Sequence, residues 1–300
     1  MELSAAVRKI RTEWLVSDKK RDEGLTTPED IRRFDNLSYG PFGEENLLDI
    51  YVQKTVTTKQ PTIVNIHGGA WVYGSKEIYQ FYCMSLAQRG FTVVNINYRL
   101  APENRFPAAV EDINAVMHFL EKEGEKYFVD EDCLILVGDS AGGQLVSHFA
   151  TIMTNKDFAS QFDFNTADVK IRALGLNCGA YDSKASIQKR NSEDADDYLM
   201  EYLDCVDKNC PEKTAEMVDA VSNMTKDFPP SFVMSAVNDF LFKNADPMYQ
   251  LLKKLGVPCE KKIYGTKEQE EIAHVFHVNI KLPEATQCND DECNFFRKFI

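Results

Sequence analysis

The stretch Cys133-Leu134-Ile135-Leu136-Val137-Gly138-Asp139-Ser140-Ala141-Gly142-Gly143 decides the fold. Five consecutive apolar residues read as a strand buried on both faces. The helix-like pattern that follows begins directly after Ser140, at about 141–155. Small residues two before and two after the serine let the chain turn sharply enough to hold its hydroxyl above the strand end, beside a helix N-terminus. A bare GxSxG is weak evidence in a chain of 300 residues, but the strand–turn–helix context makes Ser140 a candidate nucleophile.

Outward from this strand the same alternation repeats. Upstream, Leu48-Asp49-Ile50-Tyr51-Val52, Thr62-Ile63-Val64-Asn65-Ile66 and Thr92-Val93-Val94-Asn95-Ile96 read as strands, with helical patterns at about 77–89 and 107–124. Downstream, Ala173-Leu174-Gly175-Leu176, Ser231-Phe232-Val233-Met234-Ser235 and Glu260-Lys261-Lys262-Ile263-Tyr264 continue it. Such repetition predicts an α/β fold with a mostly parallel central sheet flanked by helices.

Two segments fall outside the rhythm. Residues 1–40 begin charged and helix-like, with Trp14-Leu15-Val16 as an apolar patch and Thr27-Pro28-Glu29-Asp30 resembling a helix start. Residues 183–227 are polar and helix-like, with the acidic run Glu193-Asp194-Ala195-Asp196-Asp197 and no core strand. The expected organisation is a cap segment at 1–40, a core at 41–182, a cap insertion at 183–227 and the rest of the core at 228–300. Trp14, Leu15, Tyr198, Leu199 and Tyr202 give the two segments apolar groups with which to cover a site.

Composition narrows the function. With 34 Lys+Arg against 47 Asp+Glu the formal charge is -13, which repels phosphate backbones and anionic membranes, so nucleic acid is not an expected partner. No apolar run is long enough to span a bilayer, and the N-terminus lacks an apolar signal region. The eight cysteines form no CxxC pair and read as reduced, mostly buried thiols. A cytoplasmic protein acting on a small-molecule ester is expected, with no membrane insertion, and the reading admits a homodimer.

A serine hydroxyl is a poor nucleophile unless a base takes its proton and a third group orients that base. The strand–elbow–helix pattern resembles that of α/β-hydrolases, in which the base comes last in chain order; that resemblance selects His274 and His277 of the five histidines. His274 lies in a polar loop after the last strand and is preferred. For the acid, Asp239 and Asp182 both follow strand ends; Asp239 leaves room for a helix at about 244–255 and one more strand before the histidine. His67-Gly68-Gly69-Ala70-Trp71 follows strand 62–66, where glycines let backbone N–H groups face a developing oxyanion, and the Ala141 N–H completes such a hole.

Together HGGAW (67–71), NYRLAPENRFPAAVED (97–112), GDSAGG (138–143), NDFL around Asp239 and His274-Val275-Phe276 resemble the hormone-sensitive-lipase family of esterases over roughly residues 40–300. The resemblance implies an α/β-hydrolase fold with a helical cap. It implies a Ser140–His274–Asp239 triad and oxyanion donors from Gly68 or Gly69, Ala70 and Ala141. Ala70 stands where the family has a third glycine, and Asp239-Phe240-Leu241-Phe242-Lys243-Asn244 departs from the family's DPLxDE. The Tyr98–Glu103 stretch matches a second signature and is read as structural, since buried tyrosines and paired arginines hold cores together. Trp71, Tyr73, Cys178 and Asp182 are candidates for the substrate pocket, Cys178 as an inert thiol beside the serine.

The function this implies is a serine carboxylesterase that hydrolyses short-acyl esters through an acyl-enzyme, with no cofactor and no metal. A sugar-ester deacetylase or a peptidase would differ only in the pocket, and a non-catalytic receptor would lack the base that His274 supplies.

Overall fold

The protein is described by a computed structural model covering residues 3–188, 197–205 and 210–300. Its strands are β1 (Ile31–Ser38), β2 (Leu47–Gln53), β3 (Gln60–Ile66), β4 (Thr92–Ile96), β5 (Val129–Asp139), β6 (Ile171–Asn177), β7 (Ser231–Ala236) and β8 (Cys259–Tyr264). They form one sheet in the order β1-β2-β4-β3-β5-β6-β7-β8. β2 runs antiparallel to both β1 and β4, and every other pairing is parallel.

The parallel core follows from the sequence of its strands. In β3, β4 and β5 the apolar runs Ile63-Val64, Val93-Val94 and Leu134–Val137 are fully buried, as strands covered by helices on both faces require. The helices that cover them are α2 (Lys76–Gln88), α3 (Ala108–Glu123), α4 (Ala141–Thr154), α10 (Ala245–Leu255) and α11 (Pro283–Phe296). Short helices α5 (Lys156–Ala159), α6 (Ser183–Gln188), α7 (Asp197–Leu203), α8 (Glu212–Met217) and α9 (Ala220–Asn223) lie between them in the chain. Within the expected cap insertion, Glu193–Asp196 of the acidic run fall outside the described residues.

At the N-terminus, α1 (Ala5–Asp22) starts where the Ser4 side chain accepts a hydrogen bond from the Val7 N–H and ends on Lys19, Lys20 and Arg21, charges that suit the negative end of the helix dipole. Thr27–Asp30 is a turn and not a helix start. The Ile31 N–H bonds the Pro28 carbonyl at 3.1 Å, and the following residues pair with β2 as β1. Ile31, Phe34 and Leu37 recur every three residues, yet the segment satisfies its backbone by pairing with β2, a tertiary contact that overrides the local pattern.

Parallel strands bring their carboxyl ends to one edge of the sheet, where loops can converge. In register, Ile66 lies beside Gly138, Asp139 beside Asn177 and Asn177 beside Met234. The loops after β3, β5, β6, β7 and β8 therefore meet above the middle of the sheet.

Candidate active site

Ser140 caps α4 with φ 53° and ψ −119°, a left-handed conformation that costs a non-glycine residue energy and is held only by its surroundings. Its N–H bonds the Asn177 carbonyl at 3.0 Å, and its carbonyl accepts from the Ala180 N–H at 3.1 Å and the Gln144 N–H at 3.2 Å. Gly142 is required two residues on, because a Cβ there would collide with the carbonyl oxygen of Ile66.

The loop after β7 carries Asp239, whose side chain is wholly buried. One carboxylate oxygen accepts from the Ser235 hydroxyl at 2.8 Å; the other accepts from the Leu241 N–H at 2.7 Å and meets His274 Nδ1 at 2.8 Å. His274 comes from the loop after β8 and lines, with Ser140, a cavity of about 340 Å³. His277 sits three residues on in a 3-10 turn at Phe276–Val278. It is buried edge-to-face against Tyr82, and burial pulls its pKa down to about 3. Of the two sequence candidates, His274 is the one joined to Asp239.

The loop after β3 turns through positive φ at Gly69 (121°), Ala70 (52°) and Trp71 (59°). At Gly69 only glycine fits, since a Cβ would strike the Tyr73 carbonyl. The Gly68 N–H donates to the Tyr79 hydroxyl at 3.2 Å, and that hydroxyl donates to buried Asp139 at 2.8 Å. Burial, only partly offset by the Tyr79 hydrogen bond, pushes the Asp139 carboxyl up to about 6.

The pocket candidates separate. Tyr73 lines the cavity that holds Ser140, whereas Trp71 and exposed Asp182 line a second cavity of about 570 Å³, walled by Ala180, Leu199, Leu241 and Met248. Trp71 stacks on Tyr202 of α7 with centroids 5.3 Å apart and gives its Nε1–H to Gln144. Cys178 is buried, and its sulfur lies within 4.8 Å of side-chain donor atoms of Asp239 and His274. That set is poorly suited to a metal: burial raises the thiol pKa well above its usual value, and a metal takes the thiolate. Asp239 and His274 also already bond each other.

Sequence reasoning named Trp14 and Leu15 of the N-terminal segment as groups to cover a site, but not Ser17, Asp18 or Arg21 of α1. Trp14, Ser17, Asp18 and Arg21 form one wall of the Ser140 cavity. Asp18 accepts from the Tyr73 hydroxyl at 2.6 Å, and Arg11 bonds the Val72 carbonyl at 2.7 Å and the Ala101 carbonyl at 2.9 Å. Also missed was Phe240, which lies over the His274 ring. Its place immediately after Asp239 was the available signal.

The BD-FAE family model matches residues 48–251. The chain belongs to the BD-FAE family. An acetyl esterase of Salmonella paratyphi A is 28% identical to this BD-FAE chain over 252 residues, covering 80% of it and 72% of the relative. A probable carboxylic ester hydrolase, LipM, of Mycobacterium tuberculosis is 32% identical over 214 residues, covering 69% and 48%. In structure, esterase B from Lactobacillus rhamnosis (HN001) superposes with a TM-score of 0.86 at 25% identity, covering 98% of this chain and 95% of that one. The BD-FAE chain is thus a carboxylic ester hydrolase with the α/β-hydrolase fold, and its resemblance to the hormone-sensitive-lipase esterases holds. Among the described residues no helix is long and apolar enough to cross a membrane.

Proposed function

We propose that this carboxylesterase hydrolyses short-acyl esters through an acyl-enzyme on Ser140. His274 takes the serine proton as the hydroxyl attacks the carbonyl and returns it to the leaving alcohol. Asp239 holds the imidazole tautomer and offsets its charge. The observation that carries this is the 2.8 Å bond from buried Asp239 to His274, which lines the same cavity as Ser140.

Because the Gly68 N–H is engaged by Tyr79, the oxyanion falls to the N–H groups of Gly69, Ala70 and Ala141, each such donor being worth about 3 kcal/mol. His274 must reach the leaving oxygen, so the alcohol occupies the cavity beside His274. The acyl chain then points the other way, into the 570 Å³ cavity beyond Trp71 and Ala180, a volume suited to a small ligand. α1 caps the first cavity, and Ser183, Leu199 and Val221 cover the second. A comparison of His274→Ala, His277→Ala, Asp239→Asn and Asp182→Asn on 4-nitrophenyl butyrate tests the assignment. The first and third should lose roughly 10⁴-fold or more in kcat, and a larger loss at His277 or Asp182 overturns it.

A further inference from the structure

In the reading above, the donors to the oxyanion come from two elements: the Gly69 and Ala70 N–H groups from the loop after β3, and the Ala141 N–H from the first turn of α4. Resting on that reading, we propose that Gln144 is a positioning residue for the hydrolysis, tying the two elements together through the Trp71 indole and so holding their donors at the spacing a tetrahedral oxyanion needs. The Trp71 Nε1–H donates to Gln144 Oε1 at 3.1 Å, with both side chains buried. Gln144 lies three residues beyond Ala141, and helix side chains lean toward the N-terminus, so its amide reaches back over the turn that carries the Ala141 N–H. Trp71 is the residue after Ala70. One hydrogen bond thus joins the neighbour of one donor to the turn that holds another.

The loop calls for such a tie. It carries positive φ at Ala70 (52°) and Trp71 (59°) as well as at Gly69, a conformation that residues with a Cβ keep only where contacts hold them. Backbone bonds supply part of that hold: the Gly69 carbonyl accepts from the Val72 and Tyr73 N–H groups, and the Trp71 carbonyl accepts from the Ala101 N–H at 2.9 Å. None of these reaches α4. The indole does, and stacking on Tyr202 with the two rings 10° from parallel limits its tilt. Gln144 is fixed in turn, because its Nε2–H donates to His148 Nδ1 at 3.4 Å. Burial among Phe106, Phe158 and Phe162 draws the His148 pKa down to about 3, so the ring stays neutral and can accept at Nδ1. The amide therefore keeps its NH2 toward His148 and its oxygen toward Trp71.

A buried indole N–H needs an acceptor whatever its role, so the test separates activity from stability. Gln144→Met keeps the chain length and removes the acceptor; Trp71→Phe keeps a ring on Tyr202 and removes the donor. Each is assayed on 4-nitrophenyl acetate, butyrate and hexanoate beside wild type, with a melting curve on the same preparation. Oxyanion contacts act in the transition state, so each single variant should lose about 10- to 100-fold in kcat, with KM within about threefold and the loss equal for all the acyl groups. The double variant should be no slower than the slower single, while its Tm regains part of what the singles lose, because neither end of this bond is then left unpaired. A kcat for Gln144→Met within about twofold of wild type overturns the proposal. So do single losses that multiply in the double variant, or a loss that lies in KM and changes with acyl length, which would make Trp71 merely a wall of the acyl cavity. Should Gln144→Met fail to fold, Trp71→Phe decides by the same kcat and KM criteria. Ser140→Ala, run in parallel, reports on the catalytic reading separately. If it abolishes turnover and Gln144→Met does not slow it, only this inference fails.

Discussion

The phenyl ring of Phe240 lies 4.2 Å, centroid to centroid, from the imidazole of His274, tilted by 49°, while Phe240 itself remains 73% exposed. A large apolar ring left in solvent gains little from burial. Its evident contact is with the one histidine bonded to Asp239. The resembling family has proline at this position, so the ring is a feature of this chain.

Phe240→Ala is expected to lower kcat on 4-nitrophenyl butyrate by about 2- to 12-fold, the worth of one ring contact of about 0.5–1.5 kcal/mol. The midpoint of thermal unfolding should stay close to wild type, because an exposed side chain away from the core contributes little stability. Kinetics and a melting curve on the same preparation check both. An unchanged kcat would mean the ring does not steady the imidazole.

Glu292 of α11 is 1% exposed, and burial, partly countered by Asn177 and Arg89, pushes its carboxyl from the ordinary 4.5 up to about 7. The folded state therefore holds this proton at pH values where the unfolded chain has released it, so stability falls as pH rises. The contribution is complete below about pH 4.5 and is lost through about pH 7; a separation of that size is worth about 3 kcal/mol. Urea midpoints across this range should decline in wild type and decline less in Glu292→Gln. Parallel slopes would contradict the assignment. Asp139, raised to about 6 by its own burial, adds a component of the same sign that the Glu292→Gln protein retains.

Removal of residues 1–25 takes away α1 but leaves β1 intact. Arg11 and Asp18 no longer brace Val72 and Tyr73, and one wall of the Ser140 cavity is lost. For a truncated protein that still shows a cooperative melt, the acyl-length profile on 4-nitrophenyl esters should broaden, and KM for the butyrate should rise. A profile identical to wild type would mean that the core loops alone shape the pocket.

Most of the sheet was legible because its strands obey strong rules. Ile63-Val64, Val93-Val94 and Leu134–Val137 are unbroken apolar runs, and runs of that kind between helical patterns have few other resting places. β1 was not legible. Ile31-Arg32-Arg33-Phe34-Asp35 is mostly charged, and it forms a strand because it pairs with β2, a tertiary fact that local propensity does not carry. Ser140, Asp239 and His274 were nameable from their places after strand ends, and His274 and Asp239 do meet. Asp18, Arg21 and Tyr79 were not, since each reaches the site from a helix distant in sequence through contacts that no spacing encodes. Asp182 shows the reverse: its strand-end position matched the pattern for the acid, yet it faces the second cavity.

In the proposed mechanism Ser140 becomes covalently acylated. The most direct measurement is intact-mass and peptide mapping after inactivation with an alkyl phosphonate ester that mimics the tetrahedral intermediate. One adduct per chain, confined to the peptide bearing Ser140 and absent from Ser140→Ala, is the predicted result. An adduct on another residue, or full inactivation with Ser140 unmodified, would contradict the account.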